Sequence, residues 1–443
     1  MKKTAVVLGA YGFIGAACAN ALLRQGFSVT GIGRSRQAAA KMPRGIDWVF
    51  RDIAEVSASE WKSLFHGADV VVNASGALQD GARDSLTAIH ETAIANMCEA
   101  LAGTGKRFVQ ISAAGVSENA PTDFFRSKAR GDALLMASGI DWIVLRPVLV
   151  VGAQAYGGTA LLRASAALPL VQTMIAPQAM IRTVSVEDLA LAVAEAAGGR
   201  LGSRFVADIT EDGEQTFAEL TQTFRSWLGY PAWRYRVTLP DWSVRLIGKA
   251  ADALGWLGWR SPLRTNALLS LQGGITGDPA DWKKLGGASF KPLSETLGDL
   301  PSTAQERSFA RLYLLLPLAI GCLSLFWLLS GTFGLISLEA AKAVLTDQGV
   351  SSALAATAVI VGSLIDLMLG LAVLFRRWTR SACLGMLAVS IGYLLAGTLL
   401  TPHLWLDPLG VFVKVLPAIV LALVVCLVLE DRGCGTSSSG SPT

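Results

Sequence analysis

Three evenly spaced glycines near the start of the chain could bring a backbone close to phosphate groups. Gly9, Gly12 and Gly15 follow the β-rich run TAVVL at positions 4–8, and they lead into an alanine-rich segment that ends at Arg24. Glycine permits the close approach of a pyrophosphate, and the helix that follows offers unpaired N–H groups and the positive end of its dipole. This pattern predicts a dinucleotide-binding turn.

The same segment has a second interpretation, a cleaved signal peptide. Lys2 and Lys3 precede an uncharged stretch from Thr4 to Leu23, and the tripeptide Ala-Cys-Ala offers a cleavage site. We favour the dinucleotide-binding turn because a hydrophobic signal core gains nothing from three evenly spaced glycines. Later segments also supply what a nucleotide-binding fold requires next.

The end of the second predicted strand, Ser28–Ile32, bears on the choice of dinucleotide. An NAD site places Asp or Glu here, about 20 residues after the glycine turn, to bind the ribose 2′-hydroxyl. This sequence has Gly33 instead, followed by Arg34 and Ser35. Glycine removes a carboxylate that would repel a 2′-phosphate, and a guanidinium can bind that phosphate with two hydrogen bonds. NADP(H) is therefore preferred over NAD(H). The alternative is that Arg34 only starts a solvated helix.

Short apolar strands alternate with helices after the glycine turn. We predict further strands at Trp48–Phe50, Asp69–Asn73 and Arg107–Ser112, and the clearest helix at Ser85–Leu101. Such alternation is typical of parallel βαβ units buried on both faces. Right-handed crossovers then give a doubly wound sheet, whose ligand crevice lies at the carboxyl ends of the strands.

These motifs occur in an order that resembles a known family. The chain has in turn G-x-x-G-x-x-G, Arg34, Asp52-Ile53, Asn73-Ala74-Ser75-Gly76, Leu145-Arg146-Pro147 and Val186-Glu187-Asp188-Leu189-Ala190. Over residues 1–300 it resembles the extended and atypical short-chain dehydrogenase/reductases, in particular the branch related to the 39-kDa complex I subunit. The resemblance implies that the Asp52 position contacts the adenine, that the Asn73 stretch lines the cofactor cleft, and that the Arg146 stretch leads to the nicotinamide end. The cofactor-binding residues predicted from the turn and the resemblance are Gly9, Tyr11, Gly12, Phe13, Ile14, Gly15, Arg34, Ser35, Asp52, Ile53, Asn73, Ala74, Ser75, Gly76, Ser112, Lys128, Arg146 and Pro147.

The catalytic helix departs from the family pattern. These reductases use Tyr-x-x-x-Lys, in which the lysine binds the nicotinamide ribose and lowers the pKa of the tyrosine that exchanges a proton with the substrate. Lys128 stands at the lysine position, but Phe124 replaces the tyrosine, and Ser112 matches the catalytic serine. Phenylalanine cannot donate a proton. Hydride transfer would then require a proton from a water, from Ser112 or from a residue of the region that follows the sheet.

The last third of the chain is apolar enough to cross a bilayer. The whole chain is 52% apolar and 16% charged, with a mean hydropathy of +0.47, whereas soluble chains are nearer a quarter charged. A spanning helix needs about 20 apolar residues, and four segments meet this requirement: Leu312–Leu338, Ala353–Phe375, Ser381–Leu406 and Leu409–Leu429. The predicted fold class is thus α/β, a doubly wound parallel Rossmann sheet with a smaller α+β substrate-capping region, followed by a four-helix transmembrane bundle.

Domain boundaries and orientation follow from these segments. We predict a Rossmann domain at 1–205, a capping region at 206–305, a membrane domain at 306–432 and a disordered tail at 433–443. Basic residues precede the first span and fill the linker between the second and third spans, at Arg307, Arg311, Arg376, Arg377 and Arg380. The positive-inside rule therefore predicts a multi-pass protein of the inner (cytoplasmic) membrane, with its N-terminal domain and C-terminus in the cytoplasm.

The predicted spans contain a recognisable set of small, polar and charged residues: Gly362-Ser363-Leu364-Ile365-Asp366, Gly370, Tyr393 and the stretch Trp405–Gly410 with Lys414. With these residues the membrane part resembles the DoxX-like domains of bacterial quinone- and redox-linked proteins. A mid-span carboxylate such as Asp366 faces the bundle interior and marks function. Tyr393 is predicted at a similar depth, within hydrogen-bonding reach, and Lys414 could extend toward the same carboxylate. The alternative is a structural polar clasp between helices.

A Trp-rich helix is predicted before the first span. Trp242, Leu246, Ala250, Ala253 and Leu257 recur at helical spacing. We expect this stripe to pack on the domain core, because amphipathic helices are commonest at globular surfaces. The alternative is a helix that lies in the headgroup region of a bilayer.

Two classes of function fit these features. The first is a membrane-anchored NADP(H)-dependent oxidoreductase for a hydrophobic carbonyl, lipid or quinone. The second is a non-catalytic nucleotide-binding sensor or an assembly factor for a membrane complex, which Phe124 favours; we expect the first. The net charge of +4 is too dilute for a nucleic-acid partner. Six scattered cysteines without CxxC, and three scattered histidines, predict neither a disulfide framework nor a metal site. The expected partners are a hydrophobic small molecule or a membrane complex, and the lipid bilayer.

Overall fold

The computed structural model describes residues 2–81, 84–259, 263–408 and 410–430. The chain divides into two compact units. The first comprises Met1–Lys249 and Pro262–Ala310, and the second comprises Ala250–Ser261 and Arg311–Thr443. The tail predicted to be disordered, 433–443, lies outside the described residues.

Most strands of the first unit belong to one parallel sheet. The strands are β1 (Thr4–Leu8), β2 (Ser28–Gly33), β3 (Ile46–Phe50), β4 (Val70–Asn73), β5 (Arg107–Ile111), β6 (Asp141–Pro147), β7 (Leu149–Val151), β8 (Val171–Met174), β9 (Met180–Ile181), β10 (Thr183–Ser185), β11 (Phe205–Ile209), β12 (Gln215–Thr216) and β13 (Tyr235–Thr238). Seven of them pair in the order β3-β2-β1-β4-β5-β6-β11. This order reverses between β1 and β4, where doubly wound sheets bind their ligands. The predicted α/β sheet is confirmed.

The register aligns the ends of the central strands. Leu8 lies beside Ile32 on one side and beside Asn73 on the other, so the carboxyl ends of β1, β2 and β4 share one edge. At one edge of the sheet, β11 pairs with β6. This strand extends beyond position 205, where the sequence suggested that the first domain ends. Three two-stranded pairs complete the unit: β7 with β10, β8 with β13, and β9 with β12.

The helices account for most of the remaining described chain. They are α1 (Phe13–Arg24), α2 (Arg36–Ala39), α3 (Ala58–Leu64), α4 (Ala93–Leu101), α5 (Asp123–Ala137), α6 (Gly158–Ala166), α7 (Val186–Gly198), α8 (Phe217–Trp227), α9 (Asp241–Trp256), α10 (Thr265–Gln272), α11 (Ala280–Lys284), α12 (Leu293–Asp299), α13 (Ala304–Ile336), α14 (Leu338–Thr346), α15 (Ser352–Ala372), α16 (Thr379–Leu400) and α17 (Val415–Glu430). A π-helix at Ala88–Thr92 precedes α4, so the helix predicted at Ser85–Leu101 contains one wide turn. A 3₁₀ turn at Pro402–Leu406 follows α16.

Helices cover both faces of the main sheet. Successive residues of a strand point to opposite faces. Val7 accordingly belongs to one buried cluster with Ala194 of α7. Leu8 belongs to the other cluster with Trp61 of α3 and Met97 of α4. Because both faces are buried, the strands read as continuous apolar runs rather than as alternating patterns.

Among the described residues of the C-terminal part, three helices are long and apolar enough to cross a membrane: α13, α15 and α16. Glycines let them pack closely, since a Cβ at Gly331 would lie only 2.5 Å from Ser363 O. The fourth apolar helix, α17, has 16 residues, a length of about 24 Å at 1.5 Å per residue. The span predicted at Leu409–Leu429 thus starts as a helix only at Val415, because residues 411–414 form turns.

The predicted packing of the Trp-rich helix was wrong. The helix exists as α9, but the side chains of Trp242 and Leu246 are 64% and 61% exposed. The buried face carries Val244, Gly248 and Ala251 instead. These smaller residues allow close approach, because a Cβ at Gly248 would lie 2.9 Å from Thr265 Oγ1. The large apolar side chains of the stripe therefore point away from the domain core.

Candidate functional site

The glycine turn between β1 and α1 has the geometry that a pyrophosphate requires. Gly9 has a φ of +69°, which favours glycine, and Gly12 N donates to Gly9 O at 2.8 Å. A Cβ at Gly15 would lie 2.2 Å from Gly9 O. No side chain caps the start of α1, so its first N–H groups face the turn and can bind an anion. The turn therefore fits the phosphates of a dinucleotide.

Phe13 and Ile14, the first residues of α1, pack in different directions. Ile14 is half-buried against the core of the sheet. The Phe13 ring stacks on Tyr156, with 6.0 Å between the ring centroids. Arg163 holds the Tyr156 loop, because its guanidinium donates to Gly152 O at 2.7 Å. Tyr156 therefore places an exposed phenol beside the glycine turn, and no motif in the sequence predicted it.

The end of β2 is occupied by the ring of Tyr11. Its hydroxyl accepts hydrogen bonds from the backbone N–H groups of Arg34 and Ser35, at 2.8 and 3.1 Å. A Cβ at Gly33 would lie 2.3 Å from the Tyr11 ring. Packing thus requires glycine at position 33, which the sequence alone did not reveal.

Arg34 lies between two carboxylates. Its guanidinium contacts Asp52 Oδ2 at 3.3 Å and Asp84 Oδ1 at 2.8 Å, and its side chain is 43% exposed. Asp52 also accepts from the backbone N–H of Ala54 at 3.1 Å. Ile53 is half-buried against the core. The structure therefore brings the predicted Arg34 and Asp52 together, with Asp84 as an additional partner.

The end of β4 forms the wall opposite the glycine turn. Asn73 is buried, donates to Gln110 Oε1 at 2.9 Å, and accepts from both the backbone N–H and the hydroxyl of Ser75. A Cβ at Gly9 would lie 3.0 Å from Ala74 O. A Cβ at Gly76 would lie 3.8 Å from Lys128 Nζ. The predicted residues 73–76 thus lie between the glycine turn and Lys128 of α5.

Helix α5 carries Lys128 in a buried position. Its Nζ donates to Ile111 O at 3.1 Å and lies 5.8 Å from the centroid of the Phe124 ring. Burial lowers the pKa of Lys128, and the charge of Asp132 opposes this effect. The role of Lys128 in holding the nicotinamide ribose stays a prediction, and the Phe124 ring lies beside its ammonium group.

His90 packs against the same helix and was not predicted. Its Nε2 accepts from the backbone N–H of Ala77 at 3.3 Å, so its Nδ1 carries the hydrogen and donates to Ser127 Oγ at 2.9 Å. Ser127 in turn donates to Phe124 O at 3.1 Å. Burial, assisted by the charge of Lys128, lowers the pKa of His90 to about 3. His90 is therefore neutral and serves to position the helix.

Ser112 is held by a carboxylate that the sequence analysis missed. Ser112 Oγ donates to Asp132 Oδ2 at 2.7 Å, and Arg146 Nη2 donates to the same oxygen at 3.0 Å. Asp132 is fully buried, and burial raises its pKa against the opposing effects of Ser112 and Arg146. Pro147, at the end of β6, accepts through its carbonyl from Ala114 N at 2.9 Å. The four-residue spacing from Lys128 to Asp132 was the available signal, because such residues share one helix face.

Asp366 forms a polar cluster between the apolar helices. Its Oδ2 accepts from Ser330 Oγ at 2.7 Å, and its Oδ1 accepts from Tyr393 OH at 3.1 Å. The hydrogen bond expected between Asp366 and Tyr393 is present. Lys414 is exposed and is not a partner of Asp366 among the described residues, so its predicted approach to this carboxylate was wrong. It lies in the turn before α17 rather than on a helix that faces the cluster.

Family models match two separate parts of the chain. A family model described as NAD(P)H-binding matches residues 9–198, and a model described as the DoxX-like family matches residues 324–423. No curated protein sequence matches the chain.

Similar folds occur among solved structures. The Bordetella bronchiseptica enzyme WbmH in complex with NAD+ is 21% identical with a TM-score of 0.50, covering 68% of this chain and 97% of that one. The enzyme WbmG of the same organism, in complex with NAD, is 17% identical with a TM-score of 0.51, covering 70% and 94%. Pal from Bacillus thuringiensis is 14% identical with a TM-score of 0.50, covering 70% and 99%. At these identities the likeness shows the fold.

The sheet order, the glycine turn and these matches define the N-terminal part as an NAD(P)-binding Rossmann domain. The C-terminal part is a DoxX-like domain, and its three long apolar helices indicate a membrane protein. The predicted NAD(P)-binding Rossmann domain and the predicted DoxX-like domain are thereby confirmed.

Proposed function

We propose that this chain is a membrane-anchored NADP(H)-dependent oxidoreductase of the short-chain dehydrogenase/reductase type, acting on a hydrophobic carbonyl, lipid or quinone. The observation that carries the proposal is that one chain combines an NAD(P)-binding site with helices able to cross a bilayer. The similar folds of WbmH and WbmG, both solved with NAD, support the cofactor class. A bound nicotinamide cofactor supplies or accepts a hydride.

Arg34 supports NADP(H) as the preferred form. No carboxylate follows directly at the end of β2, because Gly33 packs under the Tyr11 ring. The half-exposed guanidinium of Arg34 already binds two carboxylates, those of Asp52 and Asp84. A ribose 2′-phosphate would exchange for one of these partners and form the same charge-assisted contact.

The chain itself supplies the groups around the reacting end. Lys128 Nζ, fixed by Ile111 O, would hold the nicotinamide ribose. Ser112 follows Ile111 and presents a hydroxyl that Asp132 orients. Because Phe124 has no proton to give, Ser112 would polarise the substrate carbonyl and a water would deliver the proton.

Turnover by the purified chain tests the proposal. The full chain in lipid nanodiscs should oxidise NADPH when lipid extracts of membranes are added. Phe124→Tyr should raise that rate, because it restores a phenol four residues before Lys128, and a general acid contributes about 10²–10⁴-fold. Phe125→Tyr is the matched control, with the same added hydroxyl one residue away. NADPH binding without turnover in any extract, with Phe124→Tyr no faster, would contradict the proposal.

A non-catalytic sensor or assembly factor for a membrane complex is the second candidate. The packing of Phe124 favours it, since the ring fills the phenol position between His90, at 5.8 Å between centroids, and Lys128 Nζ, at 5.8 Å. The hydroxyl hydrogen of Ser112 is also directed at Asp132. In this case NADPH binding would change the stability of the chain or its association with a membrane partner, without oxidation of NADPH.

We also propose a multi-pass location in the inner membrane, with the N-terminal domain and the C-terminus in the cytoplasm. Arg376 and Arg377 lie in the turn between α15 and α16, and Arg307 and Arg311 lie early in α13, all in keeping with the positive-inside rule. Fusion of a reporter enzyme to position 430 tests the orientation, since a reporter that is active only in the periplasm should give no signal.

A further inference from the structure

The residues that follow α9 are fixed to the turn between α15 and α16. Trp259 Nε1 donates to Leu374 O at 2.7 Å, and Arg376 N donates to Leu257 O at 2.9 Å. The guanidinium carbon of Arg376 lies 5.6 Å from the centroid of the Trp259 ring. All of these residues belong to the second unit. The end of α9 is therefore part of the unit that contains the apolar helices.

The turn after α9 leaves one large side chain uncovered. Gly258 has a φ of +87°, and Trp259 N bonds back to Leu254 O at 3.1 Å. This reversal directs Trp259 onto the helices and leaves Trp256 91% exposed. An indole exposed to this extent is unusual on a soluble surface, and a contiguous patch of such residues marks a binding site.

The neighbouring turn adds further aromatic and basic side chains. Phe375 and Trp378 are exposed, with 5.3 Å between their ring centroids, and Arg377 between them is also exposed. The backbone places Trp256 next to this group. Leu257, the residue after Trp256, accepts a hydrogen bond through its carbonyl from the N–H of Arg376, the residue after Phe375. These four side chains, Trp256, Phe375, Arg377 and Trp378, are named the Trp–Arg patch.

We propose that the Trp–Arg patch binds the headgroups of anionic phospholipids, with the indoles in the bilayer interface and Arg377 on a lipid phosphate. Helix α15 has 21 residues, about 32 Å at 1.5 Å per residue, which matches a hydrocarbon core of about 30 Å. The turn that follows it therefore lies at headgroup depth. Trp is enriched at that depth, and basic side chains there are attracted to anionic lipids.

The patch continues the lipid-facing surface of the spans, which favours a bilayer as its occupant over a soluble partner. Leu371 of α15 and Leu384 of α16 are exposed within one or two turns of it. The basic and aromatic composition is complementary to a phosphate layer above an apolar core. The contact with lipid headgroups that the sequence suggested for α9 is therefore proposed for its last turn, at Trp256, and not for the whole apolar stripe of the helix.

Photocrosslinking tests which molecule covers Trp256. The full chain, with p-benzoylphenylalanine replacing Trp256, is reconstituted in vesicles of phosphatidylethanolamine and phosphatidylglycerol and irradiated. Mass spectrometry should detect phospholipid adducts at position 256. The same amino acid in place of Leu78, which is also exposed but lies in the first unit, serves as control and should give none. Adducts to protein only, or no adduct at position 256, would overturn the proposal.

The charge of Arg377 is tested separately. Arg377→Gln should weaken the binding of phosphatidylglycerol about fivefold, because one basic residue near an anionic surface contributes about 1 kcal/mol. Arg377→Lys keeps the charge and should retain most of the affinity. Native mass spectrometry of the full chain, titrated with phosphatidylglycerol or phosphatidylcholine, measures both variants. Equal retention of phosphatidylglycerol by the wild type and Arg377→Gln would exclude a role for this arginine in headgroup binding.

Discussion

Replacing Arg34 by glutamine should separate the two dinucleotides by affinity. In the structure this guanidinium is the group at the end of β2 that can bind a 2′-phosphate, and it is shared between Asp52 and Asp84. Arg34→Gln removes the positive charge and leaves those two carboxylates without it. NADPH should then lose affinity, while NADH, which has no 2′-phosphate, should lose little.

The size of the loss follows from the contacts that Arg34 exchanges. A hydrogen bond to a charged group contributes about 1.5–3 kcal/mol. Arg34 gives up Asp52 or Asp84 to bind the phosphate, and solvent reaches its side chain, so the lower end of that range applies. A loss of about 1.4 kcal/mol corresponds to a tenfold weaker Kd. Repulsion between the phosphate and the two remaining carboxylates increases the loss, and we expect NADPH to bind about 10- to 100-fold more weakly.

Calorimetric titration of the full chain with NADPH and NADH measures both constants. Arg36→Gln is the matched control, because it removes the same charge two residues away, where the guanidinium lies over the Phe50 ring at 4.6 Å. This control should leave both affinities nearly unchanged. If Arg34→Gln weakens NADPH and NADH by the same factor, Arg34 does not bind the 2′-phosphate, and the preference for NADP(H) is wrong.

Two further substitutions test the packing of the site. Gly33→Asp should weaken both dinucleotides rather than favour NADH, because its Cβ would lie 2.3 Å from the Tyr11 ring; a gain in NADH affinity by titration would contradict this. His90→Gln should flatten the pH dependence of stability below about pH 6.5. The pKa of His90 falls from 6.5 to about 3 on folding, so the unfolded chain binds a proton that the folded chain does not, and stability is lost as the pH falls, by up to about 1.4 kcal/mol per pH unit. Thermal unfolding of wild type and variant from about pH 7 to about pH 5, which covers the upper part of the window between 6.5 and about 3, measures the difference, and parallel curves would refute this assignment.

The sheet was predictable because its signals are local. The run at Thr4–Leu8 and the glycines after it determine a strand, a turn and a helix within two dozen residues, and the structure has all three. The ends of the strands differ from the predicted ones by one or two residues. For example, the strand predicted at Trp48–Phe50 begins at Ile46. The partners that complete the site are not local: Asp84 reaches Arg34 across 50 positions, and His90 reaches Ser127 across 37. Only the folded chain brings such pairs together.

The helix α9 shows why an amphipathic pattern does not identify what covers it. Hydrophobic spacing predicted the helix correctly, but a stripe of Trp242 and Leu246 suits a protein core and a bilayer interface equally well. The structure shows that Trp242 and Leu246 do not pack in the protein core. The opposite face of α9 does, because Gly248 has no side chain and lets that face approach Thr265. The small residues, rather than the large ones, form the buried face.

The nucleotide site has two parts, one for binding the phosphates and the ribose and one for proton transfer, and this chain supplies side chains for the first more completely than for the second. The residues proposed to hold the phosphates and the ribose are packed by contacts within the chain, such as Gly15 against Gly9 and Lys128 against Ile111. The proton-transfer end is different, because Phe124 has no hydroxyl and Ser112 donates its hydrogen to Asp132. Binding therefore has several supporting contacts, whereas turnover depends on whether a substrate carbonyl can compete with a buried carboxyl group for one hydroxyl. Hydride transfer to a fully oxidised quinone gives a hydroquinone anion, whose charge is delocalised over the ring and which takes its proton from water. Among the hydrophobic substrates proposed, the quinone class therefore depends least on the Ser112 hydroxyl.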